Sequence, residues 1–190
     1  MWGMIKGSIV LANICHLLSP VRVAVLRDLG KVRTESGWEV FNRGEEAFLP
    51  LWLAKELEKR GYVEIREGHL SEVDLAKYLI VERSLPRGKF QNLKDRFYLE
   101  ARNLYRRLKS EIKEKQLSAK DLLAAIKVEA DLKDIISIRM NKIIQVALLG
   151  GKLEDFEEQL LLEEKILFNY AKDLFNVWFK EVLGDVQYKQ

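Results

Sequence analysis

The chain has 190 residues, of which 48% are apolar and 32% charged, with a formal net charge of +3. That is enough apolar side chain to bury a core in one or two domains, under a surface more charged than usual. The single cysteine, Cys15, excludes an internal disulfide, and with two histidines the chain completes no Cys/His zinc spacing.

Residues 1–20 are mostly apolar from Ile5 to Leu18, with Lys6 the one charged residue between them. They are too short and too interrupted to span a membrane, and they lack the basic start and small-residue cleavage site of a signal peptide. They predict an N-terminal extension that forms an extra strand or helix, or an upstream start that the protein does not use. No later segment offers about 18 uninterrupted apolar residues.

A small α+β unit is expected over 21–68. Val21, Val23 and Val25 alternate with Arg22, Ala24 and Leu26, which is the period of a strand. Asp28-Leu29-Gly30 and Ser36-Gly37 are turn signals, Trp38 to Phe41 reads as a second strand, and Asn42-Arg43-Gly44 closes it. The next segment predicts a short helix over 50–60. Pro50 suits a first helical turn, Glu45 and Glu46 lie towards its positive end, Lys59 and Arg60 lie at its negative end, and Gly61 can stop it. Leu49, Pro50, Trp52, Leu53 and Leu57 are the expected core of this unit. Tyr62 to Arg66 reads as a further strand.

From Ser71 the pattern is helical, and 71–183 is expected to form a helical domain followed by a tail at 184–190. A helix over 71–83 is broken by Leu85-Pro86-Arg87-Gly88. Phe90, Leu93, Phe97, Ala101, Leu104, Leu108 and Ile112 recur at steps of three and four, predicting one helix of about 25 residues over 90–115. Ser118 is a good N-cap for the next helix, which runs towards Leu149 with a break near Ala130-Asp131 and ends at Gly150-Gly151. A last helix is expected from Leu153 to Leu183. It carries two apolar stripes, so it is either the central helix of a bundle or a surface that buries itself in another chain. The fold class is therefore α+β: a small N-terminal β-rich domain containing one short helix, then a mostly α-helical bundle.

Charge is unevenly placed. Residues 87–115 carry ten Lys/Arg and four Asp/Glu, whereas 151–190 carry five and nine. Lys94, Arg102, Arg106, Arg107 and Lys109 make the first stretch a candidate nucleic-acid contact, with Tyr98 and Tyr105 able to stack on single strands. Asp95, Glu100, Glu111 and Glu114 dilute it, so direct DNA binding is expected to be weak or absent. No phosphate loop, dinucleotide fingerprint, H-E-x-x-H or C-x-x-C string occurs. Glu163 and Glu164 are adjacent, hence about 100° apart on a helix, and suit a solvated or ion-paired role better than acid–base catalysis. No enzyme activity, cofactor or metal is expected.

The string Leu49-Pro50-Leu51-Trp52-Leu53-Ala54, followed by a leucine and basic residues, resembles the small β-domain helix of GINS subunits, components of a DNA-replication complex of archaea and eukaryotes. Ile138-Arg139-Met140-Asn141-Lys142-Ile143-Ile144 resembles that family's arginine-bearing helix, and Leu162-Glu163-Glu164-Lys165-Ile166-Leu167-Phe168 resembles the opening of its last helix. The likeness covers about residues 21–183 and leaves out 1–20. The order of parts is that of the β-domain-first archaeal subunit, similar to the eukaryotic second and third partner subunits. The resemblance implies a non-catalytic scaffold in the cytoplasm, at the nucleoid. It implies a 2:2 heterotetramer with the helix-first GINS subunit, linking the MCM helicase to a RecJ-like protein and to primase or DNA polymerase, with no membrane partner. Leu162, Phe168, Phe175, Trp178 and Phe179 are the expected subunit interface, with Arg139 as a polar contact.

Overall fold

The computed structural model describes residues 2–34, 37–66, 69–114 and 119–184. The fold is mixed α+β, with six α-helices and five strands among these residues. It divides into two compact units, residues 10–69 and residues 1–9 with 70–190. Helix α1 (Trp2–Leu18) covers most of the N-terminal stretch for which a strand or a helix is expected.

In the first unit β1 (Pro20–Val25) is the centre of a three-stranded antiparallel sheet, flanked by β4 (Glu46–Pro50) and β5 (Val63–Ile65). β2 (Gly30–Thr34) and β3 (Gly37–Phe41) form a separate hairpin. Val21, Val23 and Val25 of β1 are buried and Arg22 is exposed, as the alternation predicts, but Ala24 on the other face is buried as well. Strand β4 departs from the sequence expectation. Glu45 and Glu46 read as a helix approach, but Ala47 and Leu49 alternate with exposed Glu46 and Phe48 in register with β1.

That strand shifts the helix phase. Pro50 ends β4 and is the N-cap of α2 (Leu51–Lys59) rather than a residue of its first turn. Leu51 and Ala54, three apart, then face the sheet and are buried. Trp52, one step of about 100° further round, is 51% exposed, which corrects the expectation that it is a core residue. Leu53 and Leu57 are half-buried, and Leu49 is fully buried.

The second unit contains α3 (Glu72–Ser84), α4 (Phe97–Glu114), α5 (Ala119–Leu148) and α6 (Leu162–Leu183). Ser71 caps α3 in a reciprocal box: its hydroxyl accepts from the Asp74 N–H at 3.1 Å, and its N–H donates to the Asp74 carboxylate at 3.2 Å. The expected 90–115 helix starts only at Phe97. Its first turns are lost because the Phe90 N–H donates to Gln159 Oε1 and the Gln91 N–H to Glu82 Oε2, and because Arg96 adopts a left-handed φ of 61°. Helix α5 is unbroken at Ala130-Asp131; Ser118 lies outside the described residues. Gly150 (φ 73°) and Gly151 end it, donating to the Ala147 and Val146 carbonyls at 3.4 and 3.0 Å in a Schellman motif. Two short 3-10 turns, Leu153–Asp155 and Glu157–Gln159, replace the expected start of the last helix.

Two apolar clusters form the core of this unit. Leu75 and Leu79 of α3, Phe97 and Leu104 of α4, and Leu132 and Ile135 of α5 meet in one. Phe90, Ile143, Phe156, Leu160, Phe168 and Ala171 meet in the other.

Candidate functional site

Between those clusters lies a group of buried charges. Arg139 is 1% exposed and uses all five guanidinium N–H groups. Its Nε and Nη2 donate to Glu164 Oε1 and Oε2 at 2.5 and 2.7 Å, as a bidentate pair. Its Nη1 donates to Glu82 Oε2 at 2.8 Å and to the Gln91 carbonyl at 3.0 Å, and Nη2 donates also to the Gln159 carbonyl at 3.0 Å. The guanidinium carbon lies 5.4 Å from the centre of the Phe90 ring.

The acceptors are as fully used. Glu164 takes the Tyr98 hydroxyl at 2.5 Å and the Leu161 N–H at 3.0 Å, which caps the start of α6. Lys142 donates to Glu82 Oε1 at 2.7 Å and to the carbonyls of Glu82 and Lys89 at 2.9 and 3.2 Å. Two cations thus balance two carboxylates, and the group ties α3, α4, α5 and α6 to the segments 85–96 and 149–161. Burial pushes the Tyr98 hydroxyl well above its ordinary value, and the neighbouring Glu164 carboxylate adds to the shift. Burial works against the charge of Arg139, but its bonds to Glu164 and the charges of Glu164 and Glu82 outweigh that and raise it.

This arrangement corrects two expectations. Arg139 is no polar contact for a partner, because every donor is spent inside the unit. Phe168 is not surface: it is 1% exposed and packs edge-on against Phe156, with ring centres 5.4 Å apart. Glu82, Lys142 and Tyr98 were missed as members of the group. The signal was present as charge in register with an apolar stripe. Glu82 follows Leu75 and Leu79 at steps of four and three, and Arg139 and Lys142 continue the line Val128, Leu132, Ile135.

The remaining candidates sit on the surface. Beyond Ala171, the end of α6 leaves Leu174, Val177, Trp178, Val182 and Leu183 exposed, with Trp178 at 55%. Trp178 stacks edge-on with the half-buried Phe179 at 5.3 Å, and Phe175 is half-buried against the second cluster. Leu162, at the other end of α6, is exposed. Of the basic candidates, Arg102, Arg106, Arg107 and Lys109 are exposed on α4. Lys94 precedes α4 and pairs with Glu100 at 3.4 Å. Met4, Ile5, Val10, Leu11, Ile14 and Leu18 are exposed on α1.

Among the described residues, no group of His, Cys, Asp and Glu is placed to hold a metal ion, and no helix is long and apolar enough to cross a membrane. No protein-family model matches the chain, and no curated protein matches it.

Proposed function

We propose that the chain is a non-catalytic scaffold subunit of a GINS-type replication complex. In this reading the β-rich part precedes the helical bundle, as in the β-domain-first subunits. The observation that carries it is the end of α6, where Leu174, Val177, Trp178, Val182 and Leu183 lie exposed on a helix that has left its own core. Apolar side chains spread round a helix need a partner to cover them. The resemblance names that partner as the helix-first GINS subunit, in a 2:2 assembly within the archaeal cytoplasm, at the nucleoid. Through that assembly the chain would link MCM to a RecJ-like protein and to primase or DNA polymerase.

The buried charge group supports the reading indirectly. Two of the three segments that resemble the family, around Arg139 and Glu164, are bonded to each other and hold α5 against α6. Such a group orients the outward face of α6 instead of taking part in binding. The test is mass analysis of the chain mixed with the helix-first subunit. A stable heteromer with two copies of each is expected, and a chain that stays monomeric in sedimentation overturns the reading.

A further inference from the structure

A separate surface lies between α4 and α5. Tyr105, Leu108 and Lys109 of α4 and Leu122, Ala125, Ile126 and Glu129 of α5 line an open cleft of about 310 Å³. Its lining is mostly apolar. Of its α5 lining, Leu122 is 46% and Ile126 56% exposed, and with the neighbouring Leu123 at 66% they make an apolar ridge of little more than one turn. On the α4 side, Arg102, Arg106 and Lys109 follow at steps of four and three, and all are exposed. At 100° per residue these three fall along one flank of the helix, beside Tyr105.

We infer that this cleft docks an acidic amphipathic helix of a partner protein. An apolar trough beside a basic flank matches a helix with leucine-like anchors on one face and carboxylates on the adjoining one. The basic flank supplies the long-range attraction, and the trough supplies the burial. The cleft's own carboxylate does not oppose this. Glu129 is held by Lys133 at 2.6 Å and by the Tyr105 hydroxyl at 3.3 Å, so its charge is met in place. The same features argue against a nucleic-acid strand. The aromatic ring that lines the cleft, Tyr105, has the Lys109 ammonium over it at 5.5 Å, where a base would have to sit, and the rest of the apolar lining is aliphatic.

The test uses the full chain and three fluorescent probes. One is a designed helical peptide of about four turns with leucines at i, i+3, i+4 and i+7 and glutamates elsewhere. The second replaces those glutamates by lysines, and the third is an oligothymidine. The acidic peptide is expected to bind at least about tenfold more tightly than the basic one, and to weaken as salt rises. Ile126→Glu and Leu123→Glu should each remove binding, and Arg106→Glu should weaken it about tenfold, all without moving the thermal transition. These side chains are exposed, so loss of binding with an unchanged transition is not unfolding. Equal affinity for the two peptides, no binding, or binding untouched by these changes overturns the inference. Oligothymidine that binds more tightly than the acidic peptide and ignores Ile126→Glu assigns the flank to nucleic acid instead.

Discussion

Arg139 and Glu164, 25 residues apart, form a bidentate ion pair in which every guanidinium hydrogen and every carboxylate lone pair has a partner. Removing one side of such a pair is far worse than removing both, because the survivor stays buried and uncompensated. Arg139→Ala should therefore cost about 3–5 kcal/mol in urea unfolding. Arg139→Lys should not rescue it, since one ammonium cannot reach five acceptors arranged for a planar fork. A loss below about 1 kcal/mol would mean that water reaches these carboxylates.

The local pieces of this structure were legible in the sequence. The burial of Val21, Val23 and Val25, the helix after Ser71 and the Gly150-Gly151 stop each depend on neighbours within a few residues. What was not legible depends on distant partners. Phe90 and Leu93 keep helical spacing with Phe97, yet Gln159 and Glu82 capture the backbone of residues 90 and 91 and hold it out of helix. The apolar face of α2 was misjudged by one residue because β4 pairs with β1 up to Pro50. Arg139 and Glu164 each stood out, but only the fold shows that they face each other and not a second chain.

Tyr98 gives the charge group a pH dependence. Its folded-state proton is held above the ordinary tyrosine range by burial and by Glu164. When the folded pKa is raised, the unfolded chain binds fewer protons at high pH, so stability falls as pH rises. The contribution should be complete below about pH 10 and lost progressively above it. Tyrosinate absorbance should show Tyr98 ionising last of the six tyrosines, or only on unfolding. Tyr98→Phe should flatten the alkaline limb; an unchanged limb would place the effect elsewhere.

In the β-containing unit, Leu49 and Trp52 should behave in opposite ways to their sizes. Leu49 of β4, opposite Val21 of β1, is wholly buried, so Leu49→Ala should cost about 2–5 kcal/mol. Trp52 is half-exposed, and Trp52→Ala should cost less than about 1 kcal/mol. Thermal unfolding of the two variants separates the cases. A larger loss for Trp52 would show that its exposed face is covered in solution.

Gly151 has no room for a side chain unless its surroundings shift. A Cβ there would lie 2.4 Å from Val146 Cγ1 and 3.1 Å from the Val146 carbonyl oxygen, which accepts the Gly151 N–H. Gly151→Ala must shift the Schellman turn at the end of α5, and a loss of about 1–3 kcal/mol is expected. Gly3→Ala, with open space around it, is the matched control and should leave stability unchanged or slightly higher.

The α6 surface separates assembly from folding. Val177, Trp178 and Val182 are exposed and make no contribution to the two apolar clusters, whereas Phe168 is central to one. Val177→Glu and Trp178→Glu should leave the thermal transition of the isolated chain within about 0.5 kcal/mol of the parent. In the proposed assembly with the helix-first subunit the same changes should abolish the heteromer, because a charge placed in an apolar interface is left desolvated and unpaired. Phe168→Glu should do the reverse and unfold the helical unit before assembly can be measured. It follows that a disrupted complex is informative at Val177 and Trp178 and uninformative at Phe168. If Trp178→Glu assembles with unchanged affinity, the end of α6 is not the subunit interface, and the exposed apolar side chains of α1 become the face to test next.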